Sequence, residues 1–188
     1  MSNTPLPEGG PPDGGSVERF RALMLPHLDS VYGFARWLTR DPVVAQDVAQ
    51  EAMLRALRYF HAFKGGDARP WLFGIVRNTW TDLRSRKGGN DRPLDEAAEQ
   101  PDIGPDPEQS ALSGDRRRQV AAALAALPQE FREILVLREI EDLSYKHIAH
   151  ALDLPIGTVM SRLARAREKL AAELRSRLGR SGHGLPDL

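Results

Sequence analysis

Four basic side chains, Arg162, Arg165, Arg167 and Lys169, stand against one acid, Glu168, in LPIGTVMSRLARAREKL, residues 154–170. Guanidinium forks at helical spacing can grip phosphates and read guanine edges. They can equally solvate the outer face of an ordinary amphipathic helix. On a wheel of about 100° per residue, Val159, Leu163, Ala166, Leu170 and Leu174 share one narrow stripe. Thr158, Ser161, Arg162, Arg165 and Lys169 lie roughly opposite. The residues that precede this stretch favour DNA. Ser144 is placed to cap a short helix carrying Ile148, Ala149 and Leu152, and Asp153, Leu154 and Pro155 make a tight turn. Short helix, tight turn and a second helix with a basic outer face form the helix-turn-helix pattern. In that motif the second helix enters the major groove, and its N-terminal part touches base edges. Arg162 and Arg165 are the candidates for guanine, with Thr158 and Ser161 for phosphate or base contacts.

A DNA-binding reading must contend with the charge balance. The chain has 188 residues, with 26 Lys+Arg against 26 Asp+Glu. A protein that lives on DNA alone usually carries a basic excess, so the positive charge must be concentrated locally or helped by a partner. Hydrophobic residues at 41% and charged residues at 28% fit a soluble globular protein. Zero cysteines exclude disulfides and thiolate metal sites. No apolar run approaches the ~18–20 residues that span a bilayer, so no membrane insertion is expected. The start, MSNTPLPEGGPPDGGS, has neither a basic opening nor an apolar core, and reads as a disordered tail over residues 1–15. No P-loop or dinucleotide glycine motif is present, so an enzyme is not expected. His147 and His150 share a helix face, but no carboxylate stands at convincing ligand spacing, and neither metal nor cofactor is expected.

Helical periodicity dominates the chain, and no stretch alternates with period two. Between Val17 and Leu38, apolar residues recur at Phe20, Leu23, Met24, Leu28, Val31, Tyr32 and Leu38, with a kink predicted at Pro26. Asp41 as N-cap and Pro42 at the first position open the next helix, which runs to Phe60. Its Ala45, Val48, Ala49, Ala52, Ala56 and Phe60 make a broad inner face. The outer arc holds Asp47, Gln50, Glu51 and Arg58, with Leu54 in their midst. An apolar side chain ringed by charges is a candidate protein-contact hot spot. After HAFKGGDARP, another helix is predicted from about Trp71 to Lys87, with Leu72, Val76, Thr79 and Leu83 inside and Arg77, Asn78, Thr81 and Arg84 outside. Basic groups beside aromatic ones suit single-stranded nucleic acid, although Trp71 is expected in the core. Residues 88–115 carry eight acidic side chains and one basic one, a net charge of −7, and scattered prolines. This acidic linker, taken as 88–114, has an extended reach near 95 Å. Helical pattern resumes over residues 115–178, with a helix beginning at Pro128 and a polar tail from residue 179. The fold class is therefore all-α: two small helical domains, residues 16–87 and 115–178, on a flexible acidic linker.

Three stretches together, DVAQEAMLRAL, FKGGDARPWLFGIVRNTWTDLRSRK and LPQEFREILVLREIEDLSYKHIAHALDLPIGTVMSRLARAREKL, resemble a bacterial extracytoplasmic-function (group IV) sigma factor of the sigma-70 family. The match covers about residues 17–87 and 115–177, and the order and spacing of the motifs make the set specific. The resemblance implies a non-catalytic RNA polymerase subunit that binds core polymerase and directs promoter-specific initiation. It implies that Asp47, Gln50, Glu51, Leu54 and Arg58 dock on the beta-prime clamp helices, and that the second domain meets the beta flap. Phe63 and Lys64 of the FKGGDARP loop would pocket a flipped minus-10 base, with Arg77, Asn78, Thr81 and Arg84 completing the minus-10 surface. Thr158, Met160, Ser161, Arg162, Arg165 and Lys169 would read the minus-35 element. An anti-sigma factor is the implied regulator. A cytoplasmic location follows, nucleoid-associated in the holoenzyme or held at the membrane by that regulator. Met160 stands where many relatives place a basic or polar residue, Ala164 where some carry a larger one, and Pro155 where a Ser N-cap is frequent. Rival readings are a stand-alone dimeric helix-turn-helix regulator and a protein-binding adaptor; the first leaves the N-terminal half without a role.

Overall fold

The structure is a computed structural model that describes residues 14–86 and 111–181. Of the expected tail over 1–15, linker over 88–114 and tail from 179, residues 1–13, 88–110 and 182–188 lie outside the described residues; residues 14–15, 111–114 and 179–181 are instead helical, as the ends of α1, α5 and α8. Eight α-helices follow one another among the described residues: α1 (Gly14–Met24), α2 (Leu28–Thr39), α3 (Pro42–Arg58), α4 (Ala68–Arg86), α5 (Ala111–Ala126), α6 (Gln129–Leu135), α7 (Tyr145–Leu152) and α8 (Ile156–Ser181). The long N-terminal helix breaks where Pro26 lacks an amide donor, into a 3-10 turn over Leu25–His27. Asp41 caps α3 as its position predicts: Oδ1 accepts from the Val43 and Val44 amides at 2.8 and 3.0 Å. Asp41→Ala is expected to cost about 1 kcal/mol of stability, read from the urea midpoint. An unchanged midpoint would show that the cap contributes nothing.

In the first domain α2, α3 and α4 pack together. Ala45, Ala49, Ala52 and Ala56 line the inner face of α3, so its backbone approaches its neighbours closely. The space between the helices is filled by Val31, Phe34 and Leu38 of α2 and by Leu72, Phe73 and Val76 of α4. The Phe34 and Phe73 rings meet at 5.1 Å between centroids. Trp71 is half-buried against this core, as expected.

The second domain is built from α5 to α8. Phe131, Ile134 and Leu135 of α6 and Leu137 of the following π-helical turn are buried with Ile148 and Leu152 of α7 and Val159 and Leu163 of α8. Arg132 is buried too, and desolvation pushes its guanidinium pKa down to about 10. Its Nη1 donates to the Ala125 and Leu127 carbonyls, orphaned at the end of α5. The two domains share a contact in which α4 lies on α7 and α2 on α6. Gly74 lets the backbones approach: a Cβ there would sit 3.4 Å from the Ala151 carbonyl oxygen.

Candidate nucleic-acid interface

Local chemistry fixes the α7–turn–α8 unit. Ser144 Oγ accepts from the His147 amide at 3.2 Å, which caps α7. Asp153 ends it in the left-handed region, with φ 51°, and the Leu154 amide returns to the Ala149 carbonyl at 3.0 Å. The Pro155 carbonyl accepts from the Thr158 and Val159 amides at 2.9 and 3.1 Å, so α8 starts at once. Val159, Leu163 and Ala166 are buried as the stripe predicts.

The outer face of α8 divides. Ser161 and Arg165 face solvent, the Arg165 Nε donating to the Ser161 carbonyl one turn back at 3.4 Å. Arg162 turns toward α6: only 18% of its side chain is exposed, and Nη2 lies 3.6 Å from Glu130 Oε2. Lys169 also leans on α6, its Nζ 5.4 Å from the Phe131 ring centroid. Arg167 pairs with Glu139 at 2.7 Å. The basic arc is thus narrower than the wheel suggests, because two of its cations find partners on α6, whose packing against α8 a single-helix wheel does not show. Ile156 and Met160, 52% and 55% exposed, occupy the start of α8 beside Ser161.

On α4, Asn78, Thr81 and Arg84 are exposed as predicted. Arg77 is not. Its Nε lies 3.3 Å from Oε2 of Glu133, whose side chain is 3% exposed, and Nη1 donates to the Leu152 carbonyl at 3.3 Å. Arg84 Nη1 donates to Gln129 Oε1 at 2.9 Å. Two arginines of the first domain therefore point at one turn of α6 in the second. Burial pushes the Glu133 carboxyl above its ordinary range, and the Arg77 charge and hydrogen bond work against that rise.

The loop before α4 turns through Gly65 and Gly66, both at φ 88°, a region L side chains rarely adopt. Asp67 Oδ1 accepts from the Arg69 amide at 3.0 Å and Oδ2 pairs with Arg69 Nη2 at 2.9 Å. The Arg69 hydrogen bond holds the Asp67 carboxyl below its usual range against the opposing pull of burial. Arg69 also donates to the Glu141 carbonyl at 3.1 Å, so this loop too is fastened to the second domain. Phe63 packs inward, stacked on Phe60 at 6.1 Å and against Trp71 at 5.4 Å, while Lys64 faces solvent.

The α3 arc behaves as the sequence suggests. Asp47, Gln50, Leu54 and Arg58 are exposed, Leu54 by 58%. Glu51 pairs with Arg55 at 2.9 Å, and Arg55 reaches Asp82 of α4 at 2.6 Å. Sequence reasoning missed the surface next to Leu54. Leu25, Leu28, Tyr32, Met53 and Leu57 join it around an open apolar groove of about 690 Å³. The signal was present: the break at Pro26 turns Leu25 and Leu28 outward, and Tyr32 stands one turn on.

Comparison with known proteins places both halves. Residues 23–89 match the family described as Sigma-70 region 2, and residues 117–170 the one described as Sigma-70, region 4. The chain is 34% identical over 167 residues to the ECF RNA polymerase sigma-E factor of Haemophilus influenzae, covering 83% of this chain and 87% of that protein. It is similar to the sigma factor RpoE in complex with the anti-sigma factor NepR from Bartonella quintana. That TM-score is 0.70, at 26% identity over 84% of this chain and 98% of that one. It is also similar to CnrH in complex with the cytosolic domain of CnrY, with a TM-score of 0.61 at 26% identity, covering 85% of this chain and 90% of that one.

Proposed function

Because the chain belongs to the sigma-70 family, in its extracytoplasmic-function branch, we propose that it is the non-catalytic subunit that selects promoters for core RNA polymerase. One juxtaposition carries the reading: a capped α7, a tight turn, and an α8 whose first turns hold Ser161 and Arg165 in solvent. In this reading Thr158, Met160, Ser161, Arg162, Arg165 and Lys169 form the minus-35 surface, with Arg162 and Lys169 on the flank braced by α6. Phe63, Lys64, Arg77, Asn78, Thr81 and Arg84 form the minus-10 surface. Asp47, Gln50, Glu51, Leu54 and Arg58 dock on the beta-prime clamp helices, and the second domain on the beta flap.

Melting DNA without ATP needs binding energy to offset unstacking. Flipping one base costs a few kcal/mol, recovered by a pocket that accepts only the extruded state. In the closed arrangement Arg77 and Arg84 face α6, so they reach DNA only once the domains part. The two elements lie about 25 base pairs apart, about 85 Å along B-form DNA, and the 24 residues between α4 and α5 reach about that far only when fully extended. Held together on polymerase, two weak grips gain an avidity of ~10²–10⁴. An anti-sigma factor, such as those bound to the similar proteins, is the proposed regulator. No helix among the described residues is long and apolar enough to cross a membrane. The proposed location is cytoplasmic, at the nucleoid within the holoenzyme and at the membrane when an anti-sigma factor holds the protein there.

Run-off transcription tests the reading. Core polymerase with this protein should initiate at fixed positions on a pool of promoters, whereas core alone should not; initiation that ignores the added protein would refute it. Arg165→Ala should cost about 1–2 kcal/mol in minus-35-dependent initiation and relax preference at one base pair. Equal initiation by the variant and the parent from intact and scrambled elements would remove Arg165 from the minus-35 surface.

A further inference from the structure

The sequence around α8 poses a question that its arginines do not answer. Ile156 and Met160 are more than half exposed on successive turns, with Gly157 between them and open space around it. Ala164, also exposed, extends the same flank by another turn. None of these side chains offers a strong hydrogen-bond donor, so this flank cannot claim guanine N7 and O6 as Arg165 can. Its chemistry matches the one apolar group in the major groove, the C5-methyl of thymine.

Resting on the reading that α8 enters the minus-35 major groove, we propose that Ile156 and Met160 form an apolar specificity pair that reads thymine methyl groups. Three observations support the pair. Both residues lie in the first turn and a half of α8, the part of such a helix that reaches base edges. Ser161 and the exposed Arg165 continue the same solvent-facing surface, so the pair adjoins a face complementary to DNA charge. The α-carbon rise from position 156 to position 160 is about 6 Å, close to two base steps of about 3.4 Å, so the pair can reach methyl groups up to two base pairs apart. The partner is therefore duplex DNA with thymines next to the guanine that Arg165 reads.

The test uses the holoenzyme formed from full-length protein and core polymerase. Promoter templates randomised over the minus-35 and minus-10 segments are made twice, once with thymidine and once with deoxyuridine in the minus-35 segment. Deoxyuridine pairs identically and lacks only the methyl. Templates retained as heparin-resistant complexes are sequenced. Thymidine templates should show enrichment of T at one or two fixed minus-35 positions, and deoxyuridine templates should lose about four-fold per methyl there. Ile156→Ala and Met160→Ala, both at exposed positions, should erase that difference while keeping the guanine preference. Equal enrichment in the two pools, or a methyl effect that survives both substitutions, overturns the proposal while leaving the sigma-factor reading intact. Failure of the parent holoenzyme to enrich any sequence in either pool overturns the reading and this inference together.

Discussion

Leu54→Asp is expected to abolish association with core polymerase, lowering affinity by at least about a hundred-fold, while the free protein stays folded. Leu54 is 58% exposed at the rim of the groove formed with Leu25, Leu28 and Tyr32. An apolar anchor that fills a partner's pocket is worth about 2–4 kcal/mol on truncation. Aspartate adds the cost of burying an unpaired carboxylate. Nothing in the fold resists the change, since substitutions at exposed positions usually stay within about 0.5 kcal/mol. Val43→Asp serves as the control: it lies on the same helix, is 68% exposed, and does not line the groove. Pull-down on core polymerase with circular dichroism separates the outcomes. Full retention of L54D by polymerase, or equal loss with V43D, would remove this groove from the docking surface.

Arg77→Ala should destabilise the closed chain by about 3 kcal/mol near neutral pH. Glu133 is 2% exposed, and Arg77 heads its compensating partners. Breaking a buried pair costs ~3–5 kcal/mol because one charge is stranded; the partial exposure of Arg77 places this case at the lower bound. A ceiling comes from protonation. Three pH units above an ordinary glutamate pKa of about 4.3, taking up a proton costs about 4 kcal/mol, and the stranded carboxylate cannot cost more. The sign of the pH dependence follows. The folded pKa is raised, so the folded chain holds this proton at pH values where the unfolded chain has lost it. Stability from this group therefore falls as pH rises through the window just above the ordinary glutamate range, and returns on acidification. Removing Arg77 extends that window upward. Urea unfolding followed by tryptophan fluorescence should show R77A recovering its loss as the pH falls from neutral toward the ordinary glutamate range. R77A together with Glu133→Gln should show little pH sensitivity, since no stranded charge remains. A loss in R77A that stays constant with pH would mean that Glu133 is not the group Arg77 serves.

Periodicity was enough to place most of the helices, because each buries an apolar stripe that repeats along its own sequence. Asp41, Pro42, Ser144 and the turn at Asp153 are local signals, and the structure uses each of them as a local cap or turn. The start of α5 was not legible: it begins at Ala111, inside a stretch whose acids and glycines read as linker. What the sequence hid is non-local. Arg77, Arg84 and Arg162 sit on outward arcs of their own helices, yet all three turn toward Gln129, Glu130 and Glu133 of α6. A helical wheel shows one helix and solvent; it cannot show that another helix occupies that solvent. Leu28 and Tyr32 misled in the opposite direction, since they belong to an apolar series and still face outward on the rim of the groove.

The grip of α6 on Arg77 and Arg84 has a thermodynamic corollary. A machine that holds the domains apart raises the first domain's affinity for its DNA strand by the factor by which the free chain favours closure, without touching that strand. Reciprocity requires the promoter to tighten the grip on the machine by the same factor. Two ligands on different surfaces of the chain thus become allosteric effectors of each other through a single turn of helix.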